Sequence, residues 1–170
     1  MRTSSRNALL SLLGTFALLI SAVSTTSAQA ASAASKANAT KRAATPKLKW
    51  GPGPANLPKG AKAAVVSGDP SKTGPFEIQL ALPNRYTVPP HFHPTDETVT
   101  VKSGTFLYGM GDKIDPKQMK TMKVGESGTM QANAHHYAMA RGKTVVSVSG
   151  MGPFVTTYVN PADDPTNKKK

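Results

Sequence analysis

Past Trp50, glycine and proline recur so often that no long helix fits between them. What lies between these breakers alternates like β-strand. Phe76-Glu77-Ile78-Gln79-Leu80-Ala81-Leu82 sets apolar against polar or small residues, as a half-buried strand does. Glu97 to Lys102 is β-branched and alternating, Ser103-Gly104 is a turn signal, and Thr105 to Met110 returns, so this stretch predicts a hairpin. Lys143 to Ser149 and Phe154 to Val159 predict two further strands. The best helical start, Asp115-Pro116-Lys117-Gln118-Met119, predicts one turn at most. With 14 glycines and 14 prolines to make turns, many short strands argue for an all-β sandwich or barrel.

The first part of the chain has a different character. Arg2 and Arg6 precede an apolar run, Ala8 to Val23, and small residues follow up to Ala28-Gln29-Ala30. That order predicts a secretory signal peptide over residues 1–30, and the apolar core is too short for a stable membrane span. Residues 31–46 are Ala, Ser, Thr, Lys and Asn, with little to bury, and read as a disordered linker. One folded domain is expected over 47–161, followed by a flexible basic tail over 162–170 that ends in Lys168-Lys169-Lys170. Export is expected to the periplasm or the exterior.

There is no cysteine, so an exported domain must hold itself together without disulfides, and thiolate ligands and a cysteine nucleophile are excluded. The formal charge is +12, and loss of Arg2 and Arg6 with the leader leaves 19 basic against 9 acidic residues, +10. The basic residues are scattered without interleaved aromatics, so no nucleic-acid partner is expected. A small-molecule ligand is expected, with an anion as one option.

The chemistry concentrates in Pro90-His91-Phe92-His93-Pro94-Thr95-Asp96-Glu97. Residues i and i+2 of a strand share a face, so His91 and His93 face one way and Phe92 the other. Two imidazoles and a carboxylate suit a divalent transition metal: Mn, Fe, Ni, Cu or Zn. The remaining two of the four histidines, His135 and His136, stand together on another expected strand, where only one of them can reach the same ion.

These residues resemble the cupin superfamily. Its first motif runs Gly, five residues, His-x-His, three or four residues, Glu, six residues, Gly. His91, His93, Glu97 and Gly104 stand at those spacings, and Arg85 occupies the place of the leading Gly. Its second motif runs Gly, five residues, Pro-x-Gly, two residues, His, three residues, Asn. Gly125 and His136 match it, while Gln131, Asn133 and Ala140 replace the Pro, the second Gly and the Asn. Asn133 is able to take the positive-φ conformation of the glycine it replaces. The resemblance spans about Phe76 to Val159. It implies a single-domain jelly-roll β-barrel with a metal on His91, His93, Glu97 and His136. It also resembles, towards the end of the chain, small exported cupin proteins of undefined activity.

Two functions are compatible with such a chain. One is a metal-dependent dioxygenase or oxidase acting on a small oxygen-bearing molecule. The other is a non-catalytic module that binds a small ligand or holds a structural metal. No general base stands out. Asp96 reads as a turn or rim residue. Tyr86, Tyr108, Tyr137 and Gln79 are candidates to reach a pocket, and Met110, Met130 and Met139 read as barrel filling. A homodimer through an edge strand is expected, against a monomer whose N-terminal segment covers that edge.

Overall fold

The structure is a computed structural model and describes residues 47–167. The expected signal peptide over 1–30, the linker over 31–46 and the three terminal lysines lie outside the described residues. Nine strands follow one another: β1 (Gly51–Pro52), β2 (Lys62–Ser67), β3 (Gly74–Leu82), β4 (Thr87–Phe92), β5 (Glu97–Met110), β6 (Lys120–Met122), β7 (Ser127–Met130), β8 (His136–Gly152) and β9 (Thr157–Tyr158). Among the described residues the helical elements are two short 3-10 turns, Pro161–Asp163 and Pro165–Asn167. None of the helices there is long and apolar enough to cross a membrane. Pro116 to Gln118 makes a single turn, closed by Gln118 N–H donating to Asp115 O at 3.1 Å.

All pairings are antiparallel. The order β1-β2-β3-β8-β4-β9 runs along the main path, and β5 pairs with β6, β7 and β8. The architecture is all-β and jelly-roll-like, with a sheet that does not close into a continuous ring. β8 organises it. Its first residues pair with β4, its last residues with β3, and nearly its whole length with β5.

Alternation along the strands builds the core. Phe76, Ile78 and Leu82 of β3, Val99 and Val101 of β5, and Val146 and Val148 of β8 are buried in one cluster. Met130 and Tyr86 join it, whereas Met110 is 50% exposed and fills no core space.

The stretch expected to be a hairpin is instead one continuous strand. Residues on both sides of Ser103-Gly104 pair with β8, and the register shifts between Val101 and Ser103 and again between Ser103 and Thr105. Gly104 therefore makes a bulge that bends β5 rather than a turn that reverses it. Its φ is +78°, and a Cβ there would lie 2.4 Å from Lys143 O. A positive-φ glycine suits both a turn and a bulge, and the choice is made by the long partner strand. The final strand is also shorter than expected, with only Thr157–Tyr158 paired out of Phe154 to Val159.

Arg85 and Asn133, which stand where glycines would be expected, have φ of 62° and 60°. The chain keeps the left-handed conformation at both places without glycine. Arg85 N–H donates to Ala140 O at 2.9 Å and Asn133 N–H to His93 O at 2.7 Å, and these bonds hold both loops.

Two substitutions test this backbone account. Gly104→Ala meets both a disfavoured φ and backbone atoms, and is expected to cost about 2 kcal/mol or more. Arg85→Gly removes left-handed strain from an exposed residue and is expected to leave stability unchanged or raise it by about 0.5–1 kcal/mol. Urea unfolding of both variants checks the pair, and a neutral Gly104→Ala would show that the bulge tolerates a side chain.

Candidate metal centre

Each residue of the site stands at or near a strand end. His91 lies in β4 just after a register shift that follows Val88, and it pairs with His136, the first residue of β8. His93 follows the end of β4, and Glu97 opens β5. All four side chains are buried, and one ligand atom from each lies within 4.8 Å of all the others. Phe92, between the two histidines, turns away and stacks on His135 with ring centroids 4.9 Å apart. His135 thus faces the other way from His136, and its Nδ1 lies 2.5 Å from Asp112 Oδ1 at the surface.

The backbone sets the tautomer of every ring. His91 Nδ1 lies 2.7 Å from Pro89 O, His93 Nδ1 2.8 Å from Val155 O, and His136 Nδ1 2.9 Å from Ala134 O. A carbonyl only accepts, so each Nδ1 carries the hydrogen and each neutral ring presents its Nε2 lone pair to the centre. Carbonyls that orient imidazoles in this way are typical of metal-ligating histidines. Nε2 of His93 and of His136 is buried without a hydrogen-bond partner. Glu97 Oε2 lies 3.1 Å from His136 Nε2 and 3.6 Å from His93 Nε2. The shorter separation is of hydrogen-bond length, but with Nδ1–H committed to Ala134 O it joins two acceptors unless the ring is protonated. Electron-rich atoms converging in a dry place are the arrangement a cation relieves. The donor set fits a divalent transition metal.

Electrostatics keep these groups in the states that coordination needs. Burial, reinforced by the neighbouring His136, pushes His91 down to about 3. Burial likewise lowers His93. For Glu97, burial pushes the carboxyl up, but the contact with His136 and the nearby His93, His136 and His91 outweigh it, and the net direction is down. Neutral imidazole and ionised carboxylate are the metal-binding forms.

The site forms one wall of a cavity of about 210 Å³. Apart from the His–Glu wall the lining is mostly apolar, with Ile78, Leu82, Val99, Phe106 and Val146 among it. Of the tyrosines singled out in the sequence, only Tyr108 lines this cavity. Tyr86 donates its hydroxyl to Pro58 O, and Tyr137 donates to Asp115 O at 3.2 Å, so both tie loops down. Gln79 does not line it, and Asp96 accepts from Ala132 N–H at 2.8 Å in a turn role.

Phe154 and Val155 were not foreseeable as part of the site. Phe154 stacks on His93 with centroids 4.1 Å apart and an interplanar angle of 24°, and Val155 supplies the carbonyl that orients the same ring. They lie about sixty positions beyond His93, and no local signal marks them.

No protein-family model matches the chain, and no curated protein matches it. Solved structures do. A provisionally assigned acetylacetone dioxygenase from Methylibium petroleiphilum superposes with a TM-score of 0.53 at 18% identity, over 87% of this chain and 90% of that one. An RmlC-like cupin from Shewanella frigidimarina gives 0.49 at 11% identity, over 62% of this chain and 84% of that one. An oxalate oxidase gives 0.49 at 17% identity, over 72% and 67%. The fold is that of the cupins.

Proposed function

We propose that this protein is an exported, metal-dependent oxidoreductase of the dioxygenase type, acting on a small oxygen-bearing molecule. The observation that carries this is the buried set of His91, His93, Glu97 and His136, in which Nε2 of His93 and of His136 lacks a partner and which walls an apolar cavity. A divalent metal bound there would supply Lewis acidity and, for a redox-active ion, a route for electrons to dioxygen.

The chain's own residues prepare the place. Pro89, Ala134 and Val155 carbonyls aim the three rings. Glu97 lowers the charge of a divalent site to about +1. The apolar walls exclude water, which strengthens every electrostatic interaction inside. Beyond the four site residues, Tyr108 is the one titratable side chain in the lining among the described residues. A pocket so poor in acids and bases is ill suited to proton-shuttling chemistry, which favours oxidation over hydrolysis or isomerisation. The neighbour with a TM-score of 0.53, described as a dioxygenase, is in keeping with that choice. Export is part of the proposal on the strength of the leader-like residues 1–30. N-terminal sequencing of protein recovered outside the cytoplasm should begin near Ala31, and an uncut Met1 would count against export.

Elemental mass spectrometry of purified protein is expected to find about one equivalent of a redox-active transition metal, lost in the His91→Ala/His93→Ala variant. Oxygen uptake should depend on that metal. Zinc at full occupancy with no oxygen uptake would favour the non-catalytic reading, and no metal after reconstitution would defeat both.

Acid should weaken the fold as well as the metal site. His91 titrates near its ordinary 6.5 in the unfolded chain and at about 3 in the metal-free fold. Between these values the unfolded chain binds more protons, so the contribution is complete above pH 6.5 and falls as pH drops towards 3. The expected slope for this one ring is roughly 1.4 kcal/mol per pH unit. Glu97, also lowered, acts in the same direction below its ordinary value of 4.5. Urea melts of metal-free protein from pH 7 to pH 4 check it. A flat profile would mean that His91 stays solvated.

A further inference from the structure

The cavity lining also constrains the ligand. Among the described residues no Lys or Arg lines the cavity, and Glu97 is the lone carboxylate there. The rest of the lining includes Leu57, Ile78, Leu80, Leu82, Phe106 and Val146. Asn56, Ser71 and Thr156, which supply most of the remaining polar lining, belong to loops, and Ser71 Oγ already donates to Asp69 at 2.7 Å.

Resting on the metal-site reading above, we propose that the natural ligand is a compact molecule with an apolar body and a single oxygen-bearing head, neutral or singly ionised. A head with one negative charge matches the +1 of a divalent ion with Glu97, and a second charge would be stranded against hydrocarbon. A polyhydroxylated ligand would bury hydroxyls without partners. The size fits as well: an apolar cavity of about 150 Å³ takes benzene, and this one, at about 210 Å³, takes a somewhat larger body. The described Lys and Arg are exposed and none lines the cavity, so the basic composition gives no place there for a second negative charge.

The test uses the protein from Ala31 to Lys170 and has two arms. In the first, cobalt-loaded protein is titrated with acetylacetone and with malonate, which are nearly isosteric but differ by two ionised carboxylates, while the visible absorption of cobalt is followed. Acetylacetone is expected to bind at least tenfold more tightly. Leu80→Lys, which places a cation in the lining, is expected to narrow that gap. In the second arm, benzene is added to metal-free protein, and the methyl NMR signals of Ile78, Leu82 and Val146 are expected to shift. Malonate binding as tightly as acetylacetone, or methyl signals indifferent to benzene, would overturn the proposal. Failure to take up cobalt would overturn the metal reading, while the benzene arm would still decide whether the cavity accepts an apolar body.

Discussion

The site depends on the curl of one antiparallel ladder. Glu97 pairs with Gly150 at one end of the β5–β8 pairing, and His136 pairs with Met110 at the other. In a flat ladder those ends would lie about 40 Å apart at roughly 3.3 Å per residue. In the structure Glu97 Oε2 lies 3.1 Å from His136 Nε2. Strand twist and the bulge around Gly104, facing Gly142 with its φ of +77°, bend the pair until its ends meet. The backbone hydrogen bonds of β8 to β3, β4 and β5 hold that curvature.

The curl creates an electrostatic demand. It brings a carboxylate and three imidazoles together in a buried place, with every Nδ1 already committed to a carbonyl. Burial alone would protonate Glu97, and its neighbours hold it ionised. A cation at the centre answers both the charge on Glu97 and the unpartnered Nε2 atoms. The segment that closes this end takes part: Phe154 packs on His93 while the next residue's carbonyl orients it.

Much of this was legible in the residues, and the exceptions share a cause. His91 and His93 announced their shared face through strand periodicity, and β3 followed its alternation. The two absent glycines proved harmless, since Arg85 and Asn133 adopt the left-handed backbone themselves. Ser103-Gly104 misled because a bulge and a hairpin turn use the same local chemistry, and only the distant partner β8 distinguishes them. Phe154 and Val155 gave no sign because their role comes from where they end up, against a ring far back in the chain. The basic composition left an anion as one option, but the described Lys and Arg lie on the surface, and the lining of the cavity follows from which strand faces turn inward.

The sequence by itself determined the all-β class, the absence of disulfides and the residues able to hold a metal, because periodicity, composition and ligand chemistry are local properties. Tertiary structure alone decided that Gly104 bends a strand and that, among the described residues, no cation lines the cavity, and it turned inward the His136 that motif spacing had pointed to. Those outcomes depend on which strands pair and how far the ladder curls, and pairing is a contest among distant segments that no short stretch of residues encodes.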